Sequence, residues 1–267
     1  MEAPVAVAPY IHVASPTITP SRYGLATAAD LVVESNPKLR NGVEFEANPT
    51  GPAKLSRAEC APPNDPPEFD SGIDIAQFDP LVVYRGFTCS PVGLTEDDIL
   101  DQARRALAGG EWAAVEKALW AGDYERPLMD TPTDILTTTA VPLVKGVGLL
   151  EETLAEEYGG VGIIHAPRHI AGFAAEKNQV DVESGRKVTT LGTRWSFGVY
   201  PNTGPDTTAA DVDTAWLVAT GAMQIRRTDV TYRSVVDVRG GARYAIAERT
   251  YVPAWEGPQA AVLVTLT

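Results

Sequence analysis

Two histidines, His165 and His169, stand four residues apart, a spacing that on one helix face lets two imidazoles share a zinc ion. The residues around them argue against it: Pro167 lies between them, no glutamate follows His165, and no third ligand is evident. A third histidine, His12, has no partner to name. Other reactive patterns also fall short. There is no Gly-x-Ser-x-Gly elbow to present a nucleophile, no Walker A sequence and no Gly-x-Gly-x-x-Gly. Gly159-Gly160-Val161-Gly162 follows a helical pattern rather than a strand, which suits a helix stop and not a phosphate cradle. Glu151-Glu152 and Glu156-Glu157 surround Leu150 and Leu154 in an amphipathic segment and read as a solvated face. No catalytic residue, metal site or cofactor is therefore expected.

Charge is the next candidate. Arg226, Arg227, Arg233, Arg239, Arg243 and Arg249 crowd the last third of the chain. Two readings stand: strand-edge charge that blocks unwanted pairing, and ionic contacts to acidic neighbours at subunit junctions, where complementary charge fixes register. The net charge of −13 is uneven, with 25 acids against 11 bases in residues 1–160 and 10 against 11 in the remainder. A chain this acidic repels phosphate backbones, so nucleic-acid binding is disfavoured. Five tryptophans, Trp112, Trp120, Trp195, Trp216 and Trp255, are spread as core or inter-subunit anchors.

The 267 residues, 44% apolar and 21% charged, are enough for one elaborated domain or two small ones. No apolar run approaches the roughly 20 residues of a membrane span. Met1-Glu2-Ala3-Pro4 lacks the features of a signal peptide, so folding where the chain is made is expected. Cys60 and Cys89 read as free thiols of a reducing compartment.

The elements follow from pattern. Pro4, Pro9, Pro16 and Pro20 make residues 1–24 an extended arm. Residues 27–33 suit a helical turn or a strand. Residues 42–47 alternate as a strand, 61–71 form a proline-rich tip, and 81–89 read as the returning strand of a long hairpin. Thr95 with Asp98 forms a capping box ahead of a helix whose face carries Ile99, Ala103, Ala106, Leu107, Val115, Ala118 and Leu119; Gly109-Gly110 predicts a bend. A helix over 147–158, a strand over 161–165, a helix over 167–177 and a strand near 195–200 predict a mixed sheet with helices packed on it. Strands at 224–226, 230–232, 244–251 and 260–266 complete the chain.

In order and spacing these segments resemble the major capsid proteins of tailed bacteriophages, the Hong-Kong-97-like fold that encapsulin shells share. Glu116 and Gly122-Asp123 fill the pattern that closes the family's long spine helix. Ala215 to Thr220 and then Gln224-Ile225-Arg226-Arg227 resemble the strand leading from the axial to the peripheral domain. Glu248-Arg249, Tyr251-Val252-Pro253-Ala254-Trp255 and 260–266 match its late corner and last strand.

The resemblance implies an α+β fold with an N-terminal arm over 1–35 and an extended E-loop hairpin over 36–90. A peripheral domain with the spine helix takes 91–130 and 225–256, and an axial domain 131–224 and 257–267. It implies self-assembly into hexamers and pentamers of an icosahedral shell enclosing double-stranded phage DNA without specific binding. A virion capsid assembled in the host cytoplasm follows, with a separate scaffolding protein, a portal and a decoration protein as candidate partners and no membrane. The contact candidates are Pro62, Pro63, Pro66, Pro67 and Phe69 of the hairpin tip, with Arg226, Arg227, Arg233, Arg239 and Arg243. No scaffolding segment is seen ahead of the arm. The rivals are an encapsulin-like shell, against which a proline-rich arm argues, a small α+β hydrolase, for which a nucleophile and base are missing, and a tail or adaptor protein.

Overall fold

The computed structural model describes residues 16–54, 72–89, 95–122, 124–130, 132–237 and 241–267. The chain opens with a helical turn α1 (Leu25–Ala28), strand β1 (Asp30–Val33), a 3-10 turn at Pro37–Asn41, and strands β2 (Val43–Glu46), β3 (Ile75–Phe78) and β4 (Leu81–Cys89). The long helix α2 (Glu96–Ala121) follows, then β5 (Asp134–Ile135), β6 (Val141–Pro142) and α3 (Leu143–Thr153), which continues as a π-helical turn to Tyr158. Next come β7 (Ile163–Pro167), α4 (Ile170–Glu176), β8 (Asp181–Glu183), β9 (Arg186–Val188), β10 (Arg194–Gly198) and β11 (Thr214–Thr220). The chain ends in β12 (Met223–Arg227), β13 (Thr231–Asp237), β14 (Ala242–Trp255) and β15 (Gln259–Thr265).

Two sheets result. The first is built on β14, whose 14 residues pair with β4 along one edge and with β13 and then β12 along the other; β1 adds parallel to β12. The second is eight-stranded and mixed, with β15, β11, β7, β10, β9 and β8 in succession and β5 and β6 beside β15. Its middle strands are buried on both faces: every residue of β7 is buried, as are four of five in β10. That is why they read as apolar runs rather than alternations. The predicted mixed sheet is thus present, with α3 packed on β15 and α4 on β7.

Helix α2 starts as the sequence predicts. Thr95 Oγ1 accepts the Asp98 amide at 3.2 Å and Asp98 Oδ2 accepts the Thr95 amide at 2.9 Å, closing the capping box. Ile99, Ala103, Leu107, Glu111, Val115 and Leu119 recur every four residues along its buried face, whereas Ala106 is exposed. The bend predicted at Gly109-Gly110 does not occur, and the helix runs through. Both glycines sit off the buried face, and burying Leu107, Val115 and Leu119 at about 1.5–3 kcal/mol each outweighs about 1 kcal/mol per helical glycine. At the other predicted stop, Gly159 adopts left-handed φ of 69° and caps the turn after α3.

The hairpin needs correcting. β2 pairs with β3, Val43 opposite Phe78 and Glu46 opposite Ile75, so the returning strand is Ile75–Phe78. Leu81–Cys89, expected as that return, instead pairs with nine residues of β14 and belongs to the first sheet, so the hairpin expected over 36–90 closes at Phe78. Asp79-Pro80 separates the two strands and redirects the chain. The expected tip, with Pro62, Pro63, Pro66, Pro67 and Phe69, lies outside the described residues, as do Cys60, His12 and Arg239.

Candidate assembly surfaces and the joint behind them

Helix α2 covers one face of β4, β14 and β13. On the inner side, Glu111 accepts two hydrogen bonds from Arg249 Nη1 at 2.8 and 3.1 Å and one from Tyr251 Oη at 2.7 Å, so the buried helix carboxylate is bolted to β14. Burial, with the Glu111 charge beside it, pushes the Tyr251 phenol up to about 12. The opposite face is bare. Val82, Tyr84, Val235 and Tyr244 are all half exposed or more. Pairing puts Val235, Tyr244 and Thr88 abreast, and Tyr84 opposite Glu248 four residues along. Among the described residues no element covers this apolar surface of the first sheet.

The four described arginines expected at subunit junctions, Arg226, Arg227, Arg233 and Arg243, have partners inside this chain. Arg226 meets Glu34 at 3.0 Å, tying β12 to the end of β1, and Arg243 meets Glu96 at 3.7 Å, tying β14 to the start of α2. Arg233 pairs with Glu248, which Arg40 also approaches at 3.8 Å. Arg227 lies 5.9 Å from the centre of the Trp112 ring. These contacts fix strand to strand and strand to helix.

A joint connects the arm, α2 and the second sheet. Glu116 is 4% exposed; its Oε1 accepts the Leu25 amide at 2.9 Å and its Oε2 the Val199 amide at 2.7 Å. Glycine is required on both sides of it: a Cβ on Gly24 would lie 2.4 Å from Oε1, and one on Gly198 would lie 2.7 Å from Cδ. Arg168 donates to the carbonyls of Arg22 and Phe197 at 3.1 and 3.2 Å, and the Phe197 amide donates to the Tyr23 carbonyl at 2.8 Å. Burial raises the Glu116 pKa above its usual 4.5, although the two amides and Arg168 pull it down. Further along, Asp30 receives Arg186 at 2.7 Å and Arg194 at 3.2 Å. The segment 22–34 is therefore clipped to both sheets. In the sequence Glu116 is only a position in a pattern; its burial between two glycines explains the residue type.

Behind the joint lies a buried polar chain. His165, fully buried, contacts Tyr200 Oη through Nδ1 and Thr220 Oγ1 through Nε2, both at 3.1 Å, and Ser196 Oγ is 2.7 Å from Tyr200 Oη. Thr220 Oγ1 donates to the Gly221 carbonyl, so it accepts from His165 Nε2–H. Nδ1 must then accept from Tyr200, and Tyr200 from Ser196: every group is satisfied in one direction. Burial pushes His165 down to about 3, which keeps it neutral. Ser196 thus reaches His165 only through Tyr200, in a site sealed from substrate. His169 is exposed ahead of α4, and among the described residues no three potential ligands converge on a metal site. Glu151, expected on a solvated face, is half-buried and accepts hydrogen bonds from Thr189 and, at 2.6 Å, from Thr193, holding the loop before β10.

No family model matches the chain, and neither does any curated protein. Solved structures do. The capsid of a native GTA particle aligns over 97% of this chain and 95% of its own, at 16% identity and a TM-score of 0.55. A structure from Microbacterium phage Oxtober96 aligns over 98% and 96% at 11% identity, TM-score 0.55. The holo-SrpI encapsulin complex from Synechococcus elongatus PCC 7942 aligns over 96% and 92% at 9% identity, TM-score 0.54.

Proposed function

We propose that this chain, which has the Hong-Kong-97-like capsid fold, is the major capsid protein of a tailed bacteriophage. It is a structural subunit that assembles into pentamers and hexamers of an icosahedral shell around phage DNA. The observation that supports this best is the extent of the likeness: 97–98% of this chain and 95–96% of the matched chains align, at a TM-score of 0.55. In this reading the segment 22–34 ends the N-terminal arm, and β2 and β3 are the base of the extended hairpin. The first sheet with α2 is the peripheral domain, and the second sheet with α3 and α4 the axial one.

Assembly proceeds by cooperative burial, in which many modest contacts per subunit are closed by symmetry. The hairpin tip and the arm reach neighbouring subunits. The acidic balance of the chain suits a wall that holds packed DNA without binding it. A separate scaffolding protein, a portal and a decoration protein are the candidate partners of this role, and host cytoplasm is the proposed place of assembly. Negative-stain microscopy of the purified, overexpressed chain, alone and with a co-expressed scaffold, tests the reading. Closed shells or capsomers are expected. A stable 28.5 kDa monomer under all salt conditions sinks it.

The encapsulin likeness supports a second reading, a nanocompartment shell around protein cargo. Shell contents decide between the two: nuclease-protected DNA for the first, co-purifying protein for the second.

A further inference from the structure

We propose that Tyr158 sets the angle between the two sheets, its ring being the pin against which both short connections between them are folded. The inference concerns the subunit alone and stands apart from the shell reading.

The chain steps directly between the sheets twice. Gly221-Ala222 joins β11 to β12, and Glu256-Gly257-Pro258 joins β14 to β15. With only two and three residues in these turns, neither sheet can tilt on the other without changing backbone angles there. The turns also touch each other. The Glu256 amide donates to the Ala222 carbonyl at 3.2 Å, and a Cβ on Gly221 would lie 2.2 Å from the Glu256 carbonyl oxygen. The Glu256 carboxylate accepts from Asn48 Nδ2 at 2.9 and 3.0 Å, so the foot of the β2–β3 hairpin hangs on the same turn.

Tyr158 lies in the angle between the two turns. A Cβ on Gly257 would lie 2.6 Å from its Cδ2, and one on Gly221 would lie 3.1 Å from its Cε2. One edge of the ring is therefore laid on both backbones. The other edge is closed by Gly160, where a Cβ would lie 2.8 Å from Cε1. Gly257 has a φ of 73°, which by itself favours glycine. Gly160 and Gly221 have no positive φ, so the close approach of ring and turn is what requires glycine at those two positions.

The π-helical turn that ends α3 delivers the ring. There the Gly159 amide donates to the Leu154 carbonyl, five residues back, at 2.8 Å. Such wide turns are rare and occur mostly where function needs them. Leu154, 2% exposed, anchors the start of the turn in the core of the second sheet, and α3 packs on β15. A helix of the second sheet thus directs the path of both connections into the first. The bond from Glu116 on α2 to the Val199 amide, just after β10, is a second contact that the angle must satisfy.

Double electron–electron resonance reads the angle. In a Cys60→Ser, Cys89→Ser background, Val182→Cys on β8 and Val236→Cys on β13 place one spin label on each sheet, at exposed positions. The full chain, diluted with unlabelled chain, should give one narrow distance distribution. Tyr158→Ala should at least double its width, and Tyr158→Phe, which keeps the ring, should leave it as in wild type. Trp195→Ala, a core change inside the second sheet, controls for lost stability and should not broaden it. A wild-type distribution in Tyr158→Ala, or equal broadening by Trp195→Ala, overturns the proposal. If Tyr158→Ala does not fold, Tyr158→Leu keeps apolar volume without the flat ring: broadening sustains the proposal, and a wild-type width overturns it.

Discussion

The two sheets of this protein differ in how completely one chain can bury them. The second is covered on both faces across its middle strands, and its interior holds a closed polar chain from Ser196 to Gly221. The first is covered by α2 on one face only; on the other, Val82, Tyr84, Tyr244 and Val235 face outward. Isolated exposed hydrophobes are ordinary, but a row of them spanning three adjacent strands marks an interaction surface. The contrast teaches that the second sheet is closed within the described residues, while the first carries apolar area that no described residue of this chain covers.

Substitutions at matched aromatics on the two sheets give the largest expected difference. Trp195, 1% exposed in the second sheet and stacked on Phe197, should cost about 3–5 kcal/mol when changed to alanine, measured by urea unfolding. Tyr244→Ala on the bare face should change the subunit's own stability by less than about 0.5 kcal/mol. Equal losses would erase the distinction between the sheets.

The joint between them comes next. Glu116→Ala strands two buried amide donors, and a loss of about 2–4 kcal/mol is expected. The pH dependence sharpens this. Because the folded pKa is raised, the folded chain holds its proton to higher pH than the unfolded chain does. The Glu116 contribution to stability is therefore fully present below the unfolded value near 4.5 and declines as pH rises through the folded one. Glu116→Gln should flatten stability across that window, and an unchanged slope in the Gln variant would show that another group sets it.

Smaller still is Gly110→Ala, where a Cβ meets nothing within 4 Å. A gain of about 0.5–1 kcal/mol in unfolding free energy is expected. A loss there would mean that the helix is not continuous in solution.

Local chemistry was readable in the sequence and long-range pairing was not. The capping box at Thr95 and Asp98, the stop at Gly159 and the extended run Leu81–Cys89 are properties of a few adjacent residues, and each appears where it was predicted. That β3 rather than β4 returns the hairpin depends on β14, more than 150 residues away, and no local period encodes it. The candidate surfaces divide in the same way. Val82 and Tyr84 share a face of β4, but that no described residue covers that face depends on α2 packing against the other. Glu116 and Glu151 look like surface acids in sequence because their partners, backbone amides and threonine hydroxyls, carry no charge pattern to find. The arginines found partners in their own chain through contacts as distant as Arg226 with Glu34.

The straight passage of α2 through Gly109-Gly110 has a mechanical consequence. At 1.5 Å per residue its 26 residues form a rod about 39 Å long. Side chains that crowd neighbouring turns add to the stiffness that the backbone hydrogen bonds give such a rod, and at its midpoint two consecutive positions supply none. Gly109 has only Ile18 within reach of a Cβ, and Gly110 has nothing. The rod therefore yields first at its centre. Curvature imposed on the subunit from its ends should collect in the turn just before Glu111, whose hydrogen bonds to Arg249 and Tyr251 pass it to β14.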